Sequence, residues 1–310
     1  MFVLLNTSSN NGQGLLKWEE SRPELERRFL GRDYDLVTDL ETPKSRFRGR
    51  LVRGDKVVVA AGGDGTVNYL LNRVMELRAE DRRDVVLGAI GIGSSNDFHK
   101  PFSPARRLNR NVAFRLDASR AFRHNVGEAE FVDAKGRHAR RFFIINASLG
   151  VTAAANFAFN AGGRIIDWLK PRWVLGAIYY TALKTIFTAR NVPGRLVIDD
   201  REELQTDITN LGVVINPHFS GNLSYDFDGF ERGDCFGVAL GEGMGFAERL
   251  RTLAALANGR FSGLPKTRTW RARRVDIYPQ APTPLELDGE VVLAREIHVR
   301  LRQNAVKVCA

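Results

Sequence analysis

Cysteine is nearly absent from this chain: Cys235 and Cys309 are the 2 in 310 residues. They stand far apart with no histidines at metal-ligand spacing, which excludes a disulfide framework and a zinc cluster as organising devices. A membrane-spanning run is missing too. Trp173 to Leu183 carries no charge and apolar residues continue past Lys184 to Phe187. That is short of the ~20 residues a spanning helix needs, and Lys170, Arg172, Lys184 and Arg190 bracket it closely. No segment is compositionally simple and none repeats. Met1 to Asn6 is a short apolar run without the basic start and longer apolar core of a signal peptide, so it reads as a first strand. These absences lead us to expect a cytoplasmic protein, with peripheral attachment to the inner face of a membrane left open.

What is present is ordinary globular material, 44% apolar and 26% charged, long enough for two modest domains. Lys and Arg outnumber Asp and Glu by 46 to 36. The resulting formal charge of +10 attracts anions without choosing among nucleotides, nucleic acid and an anionic membrane face.

In the first third, short β-branched runs alternate with longer helical patterns. Phe2 to Leu5, Tyr34 to Thr38, Lys56 to Ala61 and Val85 to Ile90 read as strands. Leu15 to Leu30, a segment around Ser45 to Val52, and Val67 to Arg78 read as crossover helices. That rhythm predicts an α/β domain with a parallel sheet covered on both faces, over residues 1–122. Beyond it the runs turn β-rich: Arg141 to Asn146, Arg195 to Ile198, Ile208 to Ile215, Cys235 to Leu240, Thr267 to Ile277 and Glu296 to Leu301. Helical patterns at Val151 to Asn160, Arg172 to Thr188 and Phe246 to Asn258 interrupt them. A second, all-β and mostly antiparallel domain is expected over 123–294, with a tail from about 295 to 310 returning to the first.

In parallel sheets ligands sit beyond the carboxyl ends of the strands. Three of the loops there are unusual. Asn6, Ser8 and Gly12 belong to a polar loop after the first strand. The third strand runs into Gly62-Gly63-Asp64-Gly65-Thr66, and the fourth into Gly91-Ile92-Gly93-Ser94-Ser95-Asn96-Asp97. Glycine lets backbone amides approach a ligand, and amides opening a helix point at an anion favoured by the helix dipole. A phosphate fits such a loop. Asp64 would repel it unless the carboxylate works through a cation or accepts a proton; read blandly, Asp64 is a helix cap and the glycines permit a bend. Ser94, Ser95 and Asn96 offer further donors, and Asp97 or Asn96 doubles as an ordinary cap.

Gly62 to Asn68 resembles the GGDGT signature shared by diacylglycerol, sphingosine, ceramide and NAD kinases, and Gly93 to Phe98 resembles the "GTGNDF" segment of the diacylglycerol kinases. Asn146 to Gly150 and Asp288-Gly289-Glu290 resemble later segments of that family, the last its "DGE" triplet. The resemblance implies an N-terminal α/β nucleotide domain and a C-terminal β-sandwich, with ATP in the cleft between them. It places Thr38, Gly62, Gly63, Asp64, Gly65, Thr66, Asn68, Ser94, Asn96 and Asp97 beside the nucleotide, with Asn6 and Ser8 in the first turn. It makes Glu290 the general base, Asp288 its partner or a ligand to metal-bound water, and Asp64 an organiser of Mg²⁺ and phosphate or a rival base. The reaction implied is transfer of the γ-phosphoryl group of ATP, with Mg²⁺, to a lipid hydroxyl at a membrane surface. No nucleic-acid partner is expected, and a homodimer is compatible with the resemblance. A NAD kinase-like enzyme for a soluble acceptor and a non-catalytic nucleotide sensor are the alternatives.

The sequence departs from the pattern at Glu231 to Phe236, where the family carries acidic residues for a structural Mg²⁺, so no metal ligands are assigned. His99 and Lys100 replace a small residue and an arginine. The aromatic-rich helix at Arg172 to Arg190 reads as core packing, or else as a contact with membrane or acyl chain.

Overall fold

A computed structural model of the chain describes residues 1–31, 34–38, 49, 56–108 and 112–310. The helix expected around Ser45 to Val52 falls, apart from residue 49, outside the described residues. The chain forms two compact units: Met1–His124 together with Asn304–Ala310, and Asn125–Gln303. The fold is mixed α/β with a large antiparallel β-rich second part.

In the first unit, strand β1 (Phe2–Leu5) lies between β2 (Asp35–Val37) and β3 (Val57–Gly62), parallel to both, and β3 is parallel to β4 (Val86–Gly91). β1 and β4 are buried throughout and β3 from Val58 onward, so these strands read as continuous Val, Leu, Ile and Ala runs. A parallel sheet was expected, and the described sheet is mixed. Between Ile92 and Leu108 the chain makes short 3₁₀ turns and no crossover helix. It then returns as β5 (Arg107–Leu108) and β6 (Val112–Arg115), with β6 antiparallel to β4. Helix α1 (Gln13–Leu25) runs on into a π-helical turn, Glu26–Leu30. Its Trp18 and Leu25 join Val3, Leu5, Val59, Ile90 and Phe114 in one apolar core. Helix α2 (Asp64–Met75) buries Val67, Leu70, Leu71 and Val74, one apolar stripe at helical spacing. The tail also belongs here: Lys307 and Val308 pair parallel with Val86 and Leu87, and the Cys309 amide donates to the Leu87 carbonyl at 2.9 Å.

The second unit carries β7 (Phe122–Asp133), which begins in the first unit, then β8 (His138–Phe143) and β9 (Asn146–Gly150). Three helices follow, α3 (Val151–Ala161), α4 (Arg164–Leu169) and α5 (Val174–Thr188). Next come β10 (Val192–Ile198), β11 (Glu202–Val214), the short pair β12 (His218–Phe219) and β13 (Leu223–Ser224), and β14 (Phe236–Glu242). Helix α6 (Phe246–Leu256) leads to β15 (Thr267–Ala272), β16 (Arg274–Pro279), β17 (Thr283–Leu287) and β18 (Glu290–Val308), which ends in the first unit. β11 pairs antiparallel with β9, β10 and β14, and β17 pairs antiparallel with β9 and β18. Their inward faces supply Leu149, Leu211, Val213, Phe236, Ile277 and Leu285 to one core. Each such side chain contributes roughly 1.5–3 kcal/mol on burial.

Candidate functional site

Parallel pairing sets the register Leu4 against Val37, Leu5 against Ala61 and Gly62 against Gly91. The residues that leave these strands, Asn6, Thr38, Gly63 and Ile92, therefore emerge at one edge of the sheet. Thr38 and Ser8 are exposed there.

The Gly62–Thr66 turn needs its glycines for two separate reasons. A Cβ on Gly62 would lie 2.1 Å from Thr66 Oγ1, and a Cβ on Gly93 would lie 2.3 Å from the Gly63 Cα. The first lets the strand turn tightly into α2, and the second lets the two loops touch backbone to backbone. The amides of Ile92 and Gly93 also donate to the Gly62 carbonyl at 3.1 and 3.2 Å. Asn6 Nδ2 donates to Thr66 Oγ1 at 3.0 Å, tying the first loop to α2. Gly63 caps α2 without a side chain, and the helix's own bonds begin only with the Thr66 and Val67 amides on the Gly63 carbonyl. The start of α2 is thus a helix end of positive polarity with no side-chain cap, an arrangement suited to phosphate.

Asp64 opens α2, and its carboxylate staples the loops together. Oδ2 accepts the Asp97 amide and Oδ1 the Phe98 amide, each at 3.0 Å. Asn96, left-handed at φ 54°, folds its carboxamide back on Gly93, accepting from its amide and donating to its carbonyl, both at 3.0 Å. Asp97 is buried. It accepts from Lys100 Nζ at 2.7 Å and from the Ser95 hydroxyl. The cation that follows this loop is therefore held by Asp97 in a buried ion pair. Buried Asn68 accepts from Asn72 Nδ2 one turn on, at 3.1 Å, and Ser94 is exposed at the loop's tip. His99 packs its ring against Gly91, and burial, reinforced by the positive charge of Arg115 and Arg106, holds its pKa down at about 3. It is a neutral packing group at neutral pH.

In the second unit Asp288 and Gly289 form the two-residue turn of the β17–β18 hairpin, both at positive φ, 49° and 92°. The buried Asp288 carboxylate accepts three main-chain amides: Ile144 at 2.8 Å, Ile145 at 2.9 Å and Asn146 at 3.0 Å. Buried Glu286 accepts the Gly289 amide and the Ser148 hydroxyl, each at 2.5 Å. Two buried carboxylates thus clamp the turn from below, and Glu290, the next residue, is exposed. The resemblance made Asp288 a partner of the base or a ligand to metal-bound water; in the structure its oxygens accept these three amides.

Residues 1–124 match the family model of the diacylglycerol kinase catalytic domain. The diacylglycerol kinase match thus takes in Asn6, Ser8, Thr38, the Gly62–Asn68 turn and the Gly93–Asp97 loop, and leaves out Asp288 and Glu290. Over the whole chain the fold is similar to two crystal structures from Bacillus anthracis str. Sterne. One is described as a candidate diacylglycerol kinase, with TM-score 0.68, 16% identity, and 99% of this chain and 96% of that one covered. The other is described as a diacylglycerol kinase, with TM-score 0.63, 14% identity, and 99% and 95% covered. At those identities the likeness speaks to fold alone. No curated protein sequence matches this one.

The Glu231–Phe236 segment, where the sequence departs from the diacylglycerol kinase pattern, is tied down by two side chains. Asn125 Nδ2 donates to the Phe230 and Gly233 carbonyls at 2.9 and 2.6 Å, and Arg273 pairs with Asp234 at 2.8 Å. Among the described residues no three His, Cys, Asp or Glu side chains converge as a metal cluster. Sequence reasoning did not single out Glu286, and it took in Ser148 only as part of the Asn146 to Gly150 segment. The available signal was a lone carboxylate between Leu285 and Leu287, two residues before an Asp-Gly turn.

Proposed function

We propose that this protein is an ATP-dependent kinase that transfers the γ-phosphoryl group to the hydroxyl of a lipid alcohol. The observation that carries the reading is the pair of glycine loops bound to each other by Asp64 and by the Gly63–Gly93 contact at the N-terminal end of α2, inside the segment that matches the diacylglycerol kinase catalytic domain. Phosphoryl transfer asks mainly for positioning and charge neutralisation. The α2 amides bind phosphate oxygens, and the exposed Ser94 hydroxyl and Thr38 lie at the same edge to contact the nucleotide. A Mg²⁺ ion suits this donor set only as a nucleotide-bound ion, held by phosphate oxygens, water and at most one carboxylate; when bound it would neutralise the charge of the phosphates.

Glu290 is the proposed general base, because its carboxylate is exposed and follows a turn fixed by Asp288 and Glu286. Asp64 already accepts two amides and serves to lock the loops. Incubating the protein with radiolabelled ATP, magnesium and a panel of lipid alcohols tests the reading. Labelled phosphate is expected in at least one lipid, and Glu290→Gln is expected to reduce transfer by roughly 10²–10⁴-fold with nucleotide affinity unchanged. Transfer only to a soluble acceptor, or full activity in Glu290→Gln, refutes the acceptor or the base assignment respectively.

A further inference from the structure

Helix α5 leaves several large apolar side chains in solvent. Its buried side is Ala177, Thr181, Thr185 and Ile186, with each threonine hydroxyl returned to the carbonyl one turn back at 2.7 and 2.8 Å. Its exposed side is Tyr179, Leu183 and Phe187, spaced by four, with exposures of 49, 45 and 62%. A helix lying between a core and water turns such large apolar side chains towards the core. The exposed stripe continues beyond α5. The Phe187 ring stacks on Phe246 of α6 at 4.2 Å, and Trp168 and Trp173, which flank the start of α5, are exposed by 57 and 61%. The Trp173 ring lies where a Cβ on Gly176 would be, 2.1 Å from its nearest atom, so a glycine makes room for an indole that is nonetheless left in solvent.

Charge decides what covers this face. From Val151 to Arg190 the chain carries five basic residues, Arg164, Lys170, Arg172, Lys184 and Arg190, and one acidic residue, Asp167. Asp167 is turned back onto the Gly163 amide at 3.0 Å. A symmetric contact with a second copy would bring this basic fringe against itself. An anionic bilayer complements it: headgroups meet the Lys and Arg, Trp and Tyr settle at the interface, and Leu and Phe enter the acyl region.

We propose that the face formed by Trp168, Trp173, Tyr179, Leu183, Phe187 and Phe246 is a docking surface for an anionic lipid bilayer. No helix among the described residues is long and apolar enough to cross a membrane, so the contact is one of lying on the surface. This inference deepens the lipid-kinase reading by naming its partner. Its test reads binding without nucleotide, so either can fail while the other stands.

The full chain is floated with vesicles of phosphatidylcholine alone or with phosphatidylglycerol added. Wild type is expected to float with the anionic vesicles. Leu183→Glu/Phe187→Glu is expected to bind them at least about tenfold more weakly, Arg172→Glu/Lys184→Glu to lose the anionic preference, and Leu16→Glu on α1, 65% exposed in the first unit, to change nothing. Brominated phosphatidylcholine mixed into the anionic vesicles should quench wild-type tryptophan emission, and Trp168→Phe/Trp173→Phe should abolish the quenching, since the remaining Trp18 is buried and Trp270 is bonded to Glu202. This second readout stands even if the charged variants fold poorly. Wild type left unbound by both vesicles, quenching that persists without Trp168 and Trp173, or a folded Leu183→Glu/Phe187→Glu that turns a dimer into a monomer with vesicle binding intact, each overturns the proposal; the last would assign the face to a second copy.

Discussion

At Gly93 a single methyl group decides whether two loops can meet. The Cβ of an alanine there would fall 2.3 Å from the Gly63 Cα, which has no flexible end to swing aside. Gly93→Ala is therefore expected to push the loops apart, weaken nucleotide binding by at least about tenfold in calorimetric titration, and destabilise the fold by about 1–3 kcal/mol. His99 acts on a different variable. Its folded pKa, about 3, lies below the ordinary value of 6.5, so the unfolded chain takes up a proton first as pH falls. The stability His99 allows is intact above pH 6.5 and is lost progressively towards pH 3, at up to about 1.4 kcal/mol per pH unit. Urea unfolding at pH 7 and pH 5 should show that His99→Gln, whatever its stability at neutral pH, loses less on acidification than wild type. Equal losses would show that the slope comes from other groups.

At the scale of the element, the β17–β18 hairpin depends on a carboxylate that holds three amides. Asp288→Ala strands those amides and puts an alanine at φ 49°, so a loss of about 3–5 kcal/mol is expected in thermal or urea unfolding. Asp288→Asn, which still accepts and tolerates that backbone, should lose clearly less. This dependence could not be read from the chain: Asp288 meets amides 142 to 144 residues away, and Asp64 meets amides 33 and 34 residues away. The elements themselves were more legible. Phe2–Leu5 is the expected first strand residue for residue, because a fully buried parallel strand reads as an unbroken apolar run. Helix α2 starts at Asp64, three residues before the expected Val67, because Gly63 rather than a polar side chain caps it. The expected strand Thr267 to Ile277 is broken at Arg273, where Asp199 Oδ1 takes both the Arg273 and Arg274 amides at 2.8 Å. β7 was missed because Asn125 and Glu128 interrupt its apolar pattern. Both are buried against distant partners, Asn125 on the Phe230 and Gly233 carbonyls and Glu128 on Arg302.

At the scale of the whole molecule, the diacylglycerol kinase match ends at residue 124, while the compact unit around it also contains Asn304–Ala310. Val306, Val308 and Cys309 are buried there, and burial pushes the Cys309 thiol up to about 12. A fragment of residues 1–124 is expected to melt at lower temperature than the full chain or to aggregate, since it leaves the edge of β4 open at Val86 and Leu87. Val308→Ala in the full chain should cost about 1.5–3 kcal/mol, read as faster proteolysis within residues 1–124. A fragment as stable as the whole would show that the tail is dispensable.

The tail's position also sets an order of events at the ribosome. Residues 304–308, which complete the edge beside β4, emerge only after every residue of the other unit has been made. The glycine loops are translated early, yet the sheet that carries them waits for its final strand until the rest of the described chain has been synthesised.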